Sequence, residues 1–244
     1  MERTRPSLEK HGLNVASISY DPTETLARFS NAYNIGYPML SDRDSVVIKK
    51  FGILNTNVPE GHMFFGIPFP TDYLVTPQRL IGAKYATEDY QTRVASSEIL
   101  LDQFGEAPGS SATVRAADVE VTIALSADHA AAGQQLGVSA NFNIAPGWHI
   151  YGQPIASNYT ATAITLEGDA AGAQSMQFPK PEMVKFEALG ETLPVYKGSF
   201  KATGMLMIKP GTKPGDYTLA GTVKFQECND SICKMPQSAS FTLA

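Results

Sequence analysis

The strongest constraint in this 244-residue chain is a change of rhythm near Phe104. Beyond it, runs such as "VEVTIALS", "QQLGVSANFNI", "ATAITLEG", "KATGMLMIK", "DYTLAGTVKFQ" and "SASFTLA" alternate apolar and polar residues with period two, punctuated by Gly and Pro. Alternation of that kind places one face of each segment in a core and the other in solvent, which is the pattern of an antiparallel sandwich. Before Phe104 the apolar spacing switches between strand and helix periods. "RTRPSLEKHG" reads as a helix stopped at Gly12, and "LNVASISY" (13–20) as a short buried strand. Asp21 is placed to cap a helix with Pro22 in its first turn and Leu26, Phe29 and Tyr33 on one face. "YPMLSDRDSVVIKKFGI" predicts an extended piece and a short helix ending near Gly52, and "TDYLVTPQRLIGAKYA" a hairpin turning at Pro77 and Gln78. "YQTRVASSEILLDQF" carries Val94, Ile99 and Leu100 at the spacing of a closing helix. "GEAPGSSAT" (105–113) is small and polar, as a linker is. The domains expected are therefore residues 1–104, α/β; 105–113, linker; and 114–244, all-β.

Composition narrows the function classes. A net charge of -5 without a Lys/Arg cluster gives nucleic acid no electrostatic foothold. No apolar run approaches the roughly 18 residues of a membrane span. The opening "MERTRPSLEKHG" lacks an apolar segment and a small-residue cleavage site, so it does not read as a secretory signal.

Chemistry concentrates in "KFQECNDSICKMPQ" (224–237), which holds both cysteines, Cys228 and Cys233. A strand runs into the first and another follows the second, so the pair sits at the mouth of a hairpin turned by Asn229, Asp230 and Ser231. The spacing permits a disulfide. A short turn-borne bridge leans towards exchange chemistry. A structural clip, a metal site and coincidence remain open, although His11, His62, His129 and His149 are scattered singly and no C-x2-C pair exists for zinc. Trp148 reads as core, and His149, on the other side of the strand, as solvent-exposed or hydrogen-bonded.

With these residues in view, "VKFQECNDSICKMP" resembles the active-site hairpin of the N-terminal periplasmic domain of DsbD-type thiol:disulfide interchange proteins. Phe225, Gln226, Cys228, Cys233 and Pro236 match, while Met235 stands where a proline is usual. "APGWHIYGQP" resembles that family's Gly–aromatic–x–x–Tyr strand through Gly147, Trp148 and Tyr151, and "KFEALGETLPVYKG" its cap segment. The resemblance spans residues 114–244. It implies an immunoglobulin-like sandwich whose pair shuttles between dithiol and disulfide, making the chain a thiol:disulfide oxidoreductase without metal or organic cofactor. It also implies thioredoxin-like partners, disulfide-containing client proteins and a place in the periplasm or cell envelope. The cap departs from the family run; Phe186 is its candidate covering ring and Glu187 a candidate nearby base. The alternative is a non-catalytic binding module of the envelope with a structural Cys228–Cys233 bond.

Residues 1–104 resemble the AhpC/TSA redoxins, a branch of the thioredoxin fold, through "GLNVASISYD", "YPMLSD", "FGI" and "GIPFPTDYLV". Pro70 and Thr71 occupy the positions of that family's cis-proline loop. That family's first strand and cysteine motif have no counterpart here, as no cysteine precedes Cys228. The expectation is a truncated, catalytically inert redoxin half without peroxidase activity, in which strands 13–20 and 71–76 lack their shared neighbour.

Overall fold

The computed structural model describes residues 1–87, 93–186 and 190–244. It is mostly β-strand with few helices and divides into two compact units, Met1–Leu100 and Leu101–Ala244. Among the described residues no helix is long and apolar enough to cross a membrane.

In the first unit, α1 (Arg5–Lys10) starts with Pro6 in its first turn and is followed by Gly12 at φ +77°. That left-handed backbone is one a glycine adopts without a Cβ penalty, which is why the helix stops there. β1 (Ser17–Ser19) pairs in parallel with β2 (Met39–Ser41), joined through α2 (Thr23–Tyr33). After α3 (Val46–Lys50), β3 (Thr71–Val75) and β4 (Ile81–Ala86) form a hairpin. The short β5 (Arg93–Val94) precedes α4 (Ser97–Phe104), whose Ile99 and Leu100 pack on Leu8. Val94 therefore lies in a strand, outside the helix its spacing suggested.

Three local expectations shift. Pro22, extended, occupies the N-cap of α2 in place of Asp21, whose carboxylate instead accepts the Ser19 hydroxyl at 2.5 Å. Leu26 is buried, whereas Phe29 and Tyr33 are exposed, their rings tilted against each other with centroids 4.6 Å apart. Ile18, read as part of a buried strand, is 40% exposed, opposite Leu40, which is 51% exposed. Among the described residues β1–β2 and β3–β4 form two separate two-stranded sheets.

In the second unit, β6 (Ser111–Ala116), β7 (Val119–Leu125), β8 (Gln134–Ile144), β11 (Ala171–Gln177) and β14 (Ser199–Ile208) form an antiparallel sheet ordered β11–β14–β8–β7–β6. Ser111–Thr113, at the end of the stretch read as linker, thus already belong to a strand. A second sheet orders β10 (Ala163–Glu167), β15 (Leu219–Phe225) and β17 (Gln237–Leu243). Along β15, Leu219, Gly221, Val223 and Phe225 are buried in alternation. A Cβ on Gly221 would meet the Phe241 ring at 2.1 Å, so only glycine lets that ring lie across the strand.

A third sheet positions the site. It orders β12 (Glu182–Phe186), β13 (Glu191–Lys197), β9 (His149–Tyr151) and β16 (Glu227–Cys228), all antiparallel.

Candidate active site at the cysteine hairpin

The chain does not carry β15 straight into the cysteines. β15 pairs with β17 as far as Phe225, which is buried; two residues later the chain has joined β9 in another sheet. Gln226 is the joint. Its Oε1 accepts the Thr160 N–H at 3.1 Å and its Nε2 donates to the Lys234 carbonyl at 3.2 Å, tying both arms of the hairpin to the loop before β10.

Beyond this joint the hairpin closes tightly. Lys234 N–H donates to Glu227 O at 2.9 Å, and Asn229 N–H to Ile232 O at 2.9 Å. Asn229 Oδ1 accepts the N–H groups of Ser231 and Ile232, both at 2.8 Å, the side-chain mimicry of a turn that favours Asn there. Cys228 and Cys233 face each other as an isolated bridge with Cα atoms 4.1 Å apart, and their sulfurs are bonded.

The two sulfurs have unlike surroundings. Cys228 is 1% exposed, within a cluster of Tyr151, Leu193 and Val195 against which Ile155, Tyr159, Val184 and Phe186 pack. Cys233 is exposed and flanked by exposed Ile232, Met235 and Pro236. Phe186 thus lies at the end of β12 over the buried cysteine's cluster, with its ring 5.0 Å from His149. Glu187 lies outside the described residues.

Period two along β9 turns His149 and Tyr151 to the same face as Cys228, the cross-strand partner of His149. The Tyr151 hydroxyl donates to the disulfide, 3.0 Å from Cys228 Sγ and 3.6 Å from Cys233 Sγ. Burial, assisted by Tyr159 and Glu191, pushes the phenol up to about 12, so it keeps its proton throughout the neutral range. Glu191 is itself held by the Tyr159 hydroxyl at 2.7 Å.

His149 departs from the expectation of a solvent-exposed side chain. It is buried, and its Nε2 has no hydrogen-bond partner among the described residues. Phe186 covers one side of the ring and Tyr151 meets it edge-on at 5.6 Å. Burial, reinforced by Lys197 and opposed by Asp230, lowers its pKa and keeps the imidazole neutral. Trp148 is half-buried, not core, and carries Lys234 Nζ over its ring at 4.0 Å.

On the hairpin's other face, Lys234 Nζ lies 2.5 Å from both Asp118 Oδ2 and Glu227 Oε1, and those carboxylates raise its pKa, Asp118 first. Sequence reasoning passed over Tyr151 as a sulfur partner and Glu227 and Lys234 altogether. Their positions one residue outside each cysteine were the available signal.

These features coincide with the first family match. The description "Thiol:disulfide interchange protein DsbD, N-terminal" fits residues 118–244, more than half the chain, and spans Tyr151, the β12–β13 hairpin and both cysteines. The chain belongs to the DsbD N-terminal family. The AhpC/TSA family matches residues 1–84. No curated protein matches the chain. Among solved structures, this DsbD-family chain is similar to the N-terminal periplasmic domain of ScsB from Proteus mirabilis, with 16% identity over 56% of this chain and 51% of that one, TM-score 0.44. It spans about half of that structure's length. It is also similar to the Neisseria meningitidis DsbD n-terminal domain in the reduced form, with 22% identity over 44% of this chain and 76% of that one, TM-score 0.29.

In the AhpC/TSA-matched unit, the cis-proline expectation fails. The cis bond among the described residues is Gln153–Pro154, and Phe69–Pro70 is trans. The segment enters β3 already extended: Phe69 N–H donates to Ile53 O at 2.7 Å, and Phe69 O accepts the Thr71 hydroxyl at 3.2 Å.

Proposed function

We propose that this chain performs thiol–disulfide exchange with protein partners through Cys228 and Cys233. The carrying observation is the asymmetry of the bond, with one sulfur open to a visiting thiolate and the other buried beside a hydroxyl donor.

A partner thiolate attacks Cys233 Sγ, forming a mixed disulfide and breaking the Cys228–Cys233 bond. Cys228 leaves as a thiolate, stabilised by the Tyr151 hydroxyl, and takes up a proton. The partner's second thiolate then attacks the mixed disulfide and releases Cys233, so two electrons pass to the domain and the partner becomes the disulfide. In the opposite direction Cys233 attacks a client disulfide and Cys228 resolves the intermediate. Phe186 acts as the cap over Cys228, Phe225 and Gln226 fix the hairpin's root, and Pro236 and Met235 form part of the rim a partner meets.

Loop length supports exchange over a clip. Closing so short a loop stabilises by only about 2 kcal/mol in the chain-entropy account, against nearly 5 for a hundred-residue loop. The partners in this reading are thioredoxin-like proteins and disulfide-bearing proteins of the cell envelope, in keeping with the periplasmic ScsB domain. In this reading the second unit is an immunoglobulin-like sandwich that begins with β6, and the first is a redoxin-type half on the thioredoxin pattern. The first half carries no thiol and contributes no peroxidase chemistry.

Trapping tests the proposal. Cys228→Ser leaves the exposed Cys233 thiol without its resolving partner and accumulates mixed disulfides with envelope proteins; Cys233→Ser accumulates few. Absence of adducts from both variants supports the alternative, a binding module with a structural bond.

A further inference from the structure

Glu227 immediately precedes Cys228 and Lys234 immediately follows Cys233. The two side chains therefore take matching places on the hairpin's arms, facing away from the sulfurs. Glu227 is fully buried. Its Oε1 lies 2.5 Å from Lys234 Nζ and its Oε2 accepts the Asp118 N–H at 3.2 Å. Lys234 Nζ is also 2.5 Å from Asp118 Oδ2 and lies over Trp148. Lys234 N–H to Glu227 O and Gln226 Nε2 to Lys234 O complete the connection. No atom in this set is a sulfur, so reducing the disulfide takes away none of the groups that make these contacts.

We propose that Lys234, anchored by Glu227, Asp118 and Trp148, is a positioning residue that holds the two arms in register after reduction and thereby sets the reduction potential of Cys228/Cys233. The inference rests on the exchange reading above. An intramolecular disulfide is favoured in proportion to the effective concentration of one thiol at the other, which falls when the reduced segments can spread apart. Here spreading would separate a buried carboxylate from its cation, which is strongly opposed in a low-dielectric setting. The reduced thiols stay apposed, the disulfide re-forms readily, and the potential lies below that of an unbraced hairpin. Asp118 is distant in sequence, so the brace also fixes the hairpin to the start of β7.

The test is the equilibrium of the full chain with glutathione at pH 6 and pH 7.5. Lys234→Met lowers the effective molarity of the pair about tenfold, raising the potential by about 30 mV. Lys234→Arg, which keeps the cation, stays at the wild-type value. Because Lys234→Met strands Glu227 and can unfold the site, the double variant Glu227→Gln/Lys234→Met, with both charges removed, is measured beside it and shows the same rise. A brace moves the equilibrium equally at both pH values, whereas a charge effect on the thiolates appears only at the higher one. Unchanged potentials in all variants, or a shift confined to pH 7.5, overturn the proposal. The wild-type potential itself judges the exchange reading, and the difference between variants judges the brace, so either can fail alone.

Discussion

The Tyr151 hydroxyl donates to the sulfur of Cys228 across 3.0 Å, from a side chain only 1% exposed. With its pKa pushed up to about 12, the phenol remains a donor throughout the neutral range, and in the proposed exchange its partner gains negative charge when the disulfide opens. Hydrogen bonds to charged groups contribute about 1.5–3 kcal/mol, so Tyr151→Phe raises the pKa of the Cys228 thiol by about one to two units. Thiolate absorbance of the reduced protein across pH measures this directly. A titration superimposable on wild type would show that the hydroxyl does not serve the leaving thiolate.

In the proposed reading Phe186, which packs against the cluster around Cys228, governs access to that sulfur. Its half-buried ring is worth about 1 kcal/mol of cover, less than the ~1.5–3 kcal/mol of a fully buried one. In a Cys233→Ser background, Phe186→Ala makes alkylation of Cys228 roughly five- to tenfold faster through a larger open population. Equal alkylation rates would remove Phe186 from the cap.

His149 ties stability to acidity. Its folded pKa is lowered, so below its ordinary value the unfolded chain binds the proton more readily than the folded one. The stability it provides is complete above about pH 6.5 and is lost as pH falls from there towards the folded pKa. Urea midpoints between pH 7.5 and 5 decline in wild type and decline less in His149→Phe. Parallel declines would place the acid sensitivity elsewhere. The groups facing His149 are Lys197 and Cys228 on the flanking strands, Tyr151 on its own strand, Asp230 in the turn and Phe186 above.

The parts of this site legible in sequence are the local ones. The Asn229 turn and the facing of the two cysteines across a hairpin follow from residue type and period two alone. The move of the chain between sheets at Gln226 was hidden because Thr160, which receives one end of that side chain, lies 66 residues away. Burial of His149 depends on β12 and β13 folding over it, a pairing no window around residue 149 contains. The Lys234 partners divide the same way: Glu227 was within reach of inspection, but Asp118 stands 116 residues off. In the first unit, helix period correctly grouped Leu26, Phe29 and Tyr33, yet periodicity reports a shared face and not what covers it, and two of the three are exposed.

The reduction potential of Cys228/Cys233 in the wild-type chain tests the central claim most directly. An exchanging pair equilibrates with glutathione at a potential distinctly above roughly -300 mV. A value below that, resistant to the glutathione pool, would mark the bond as a structural clip and contradict the account.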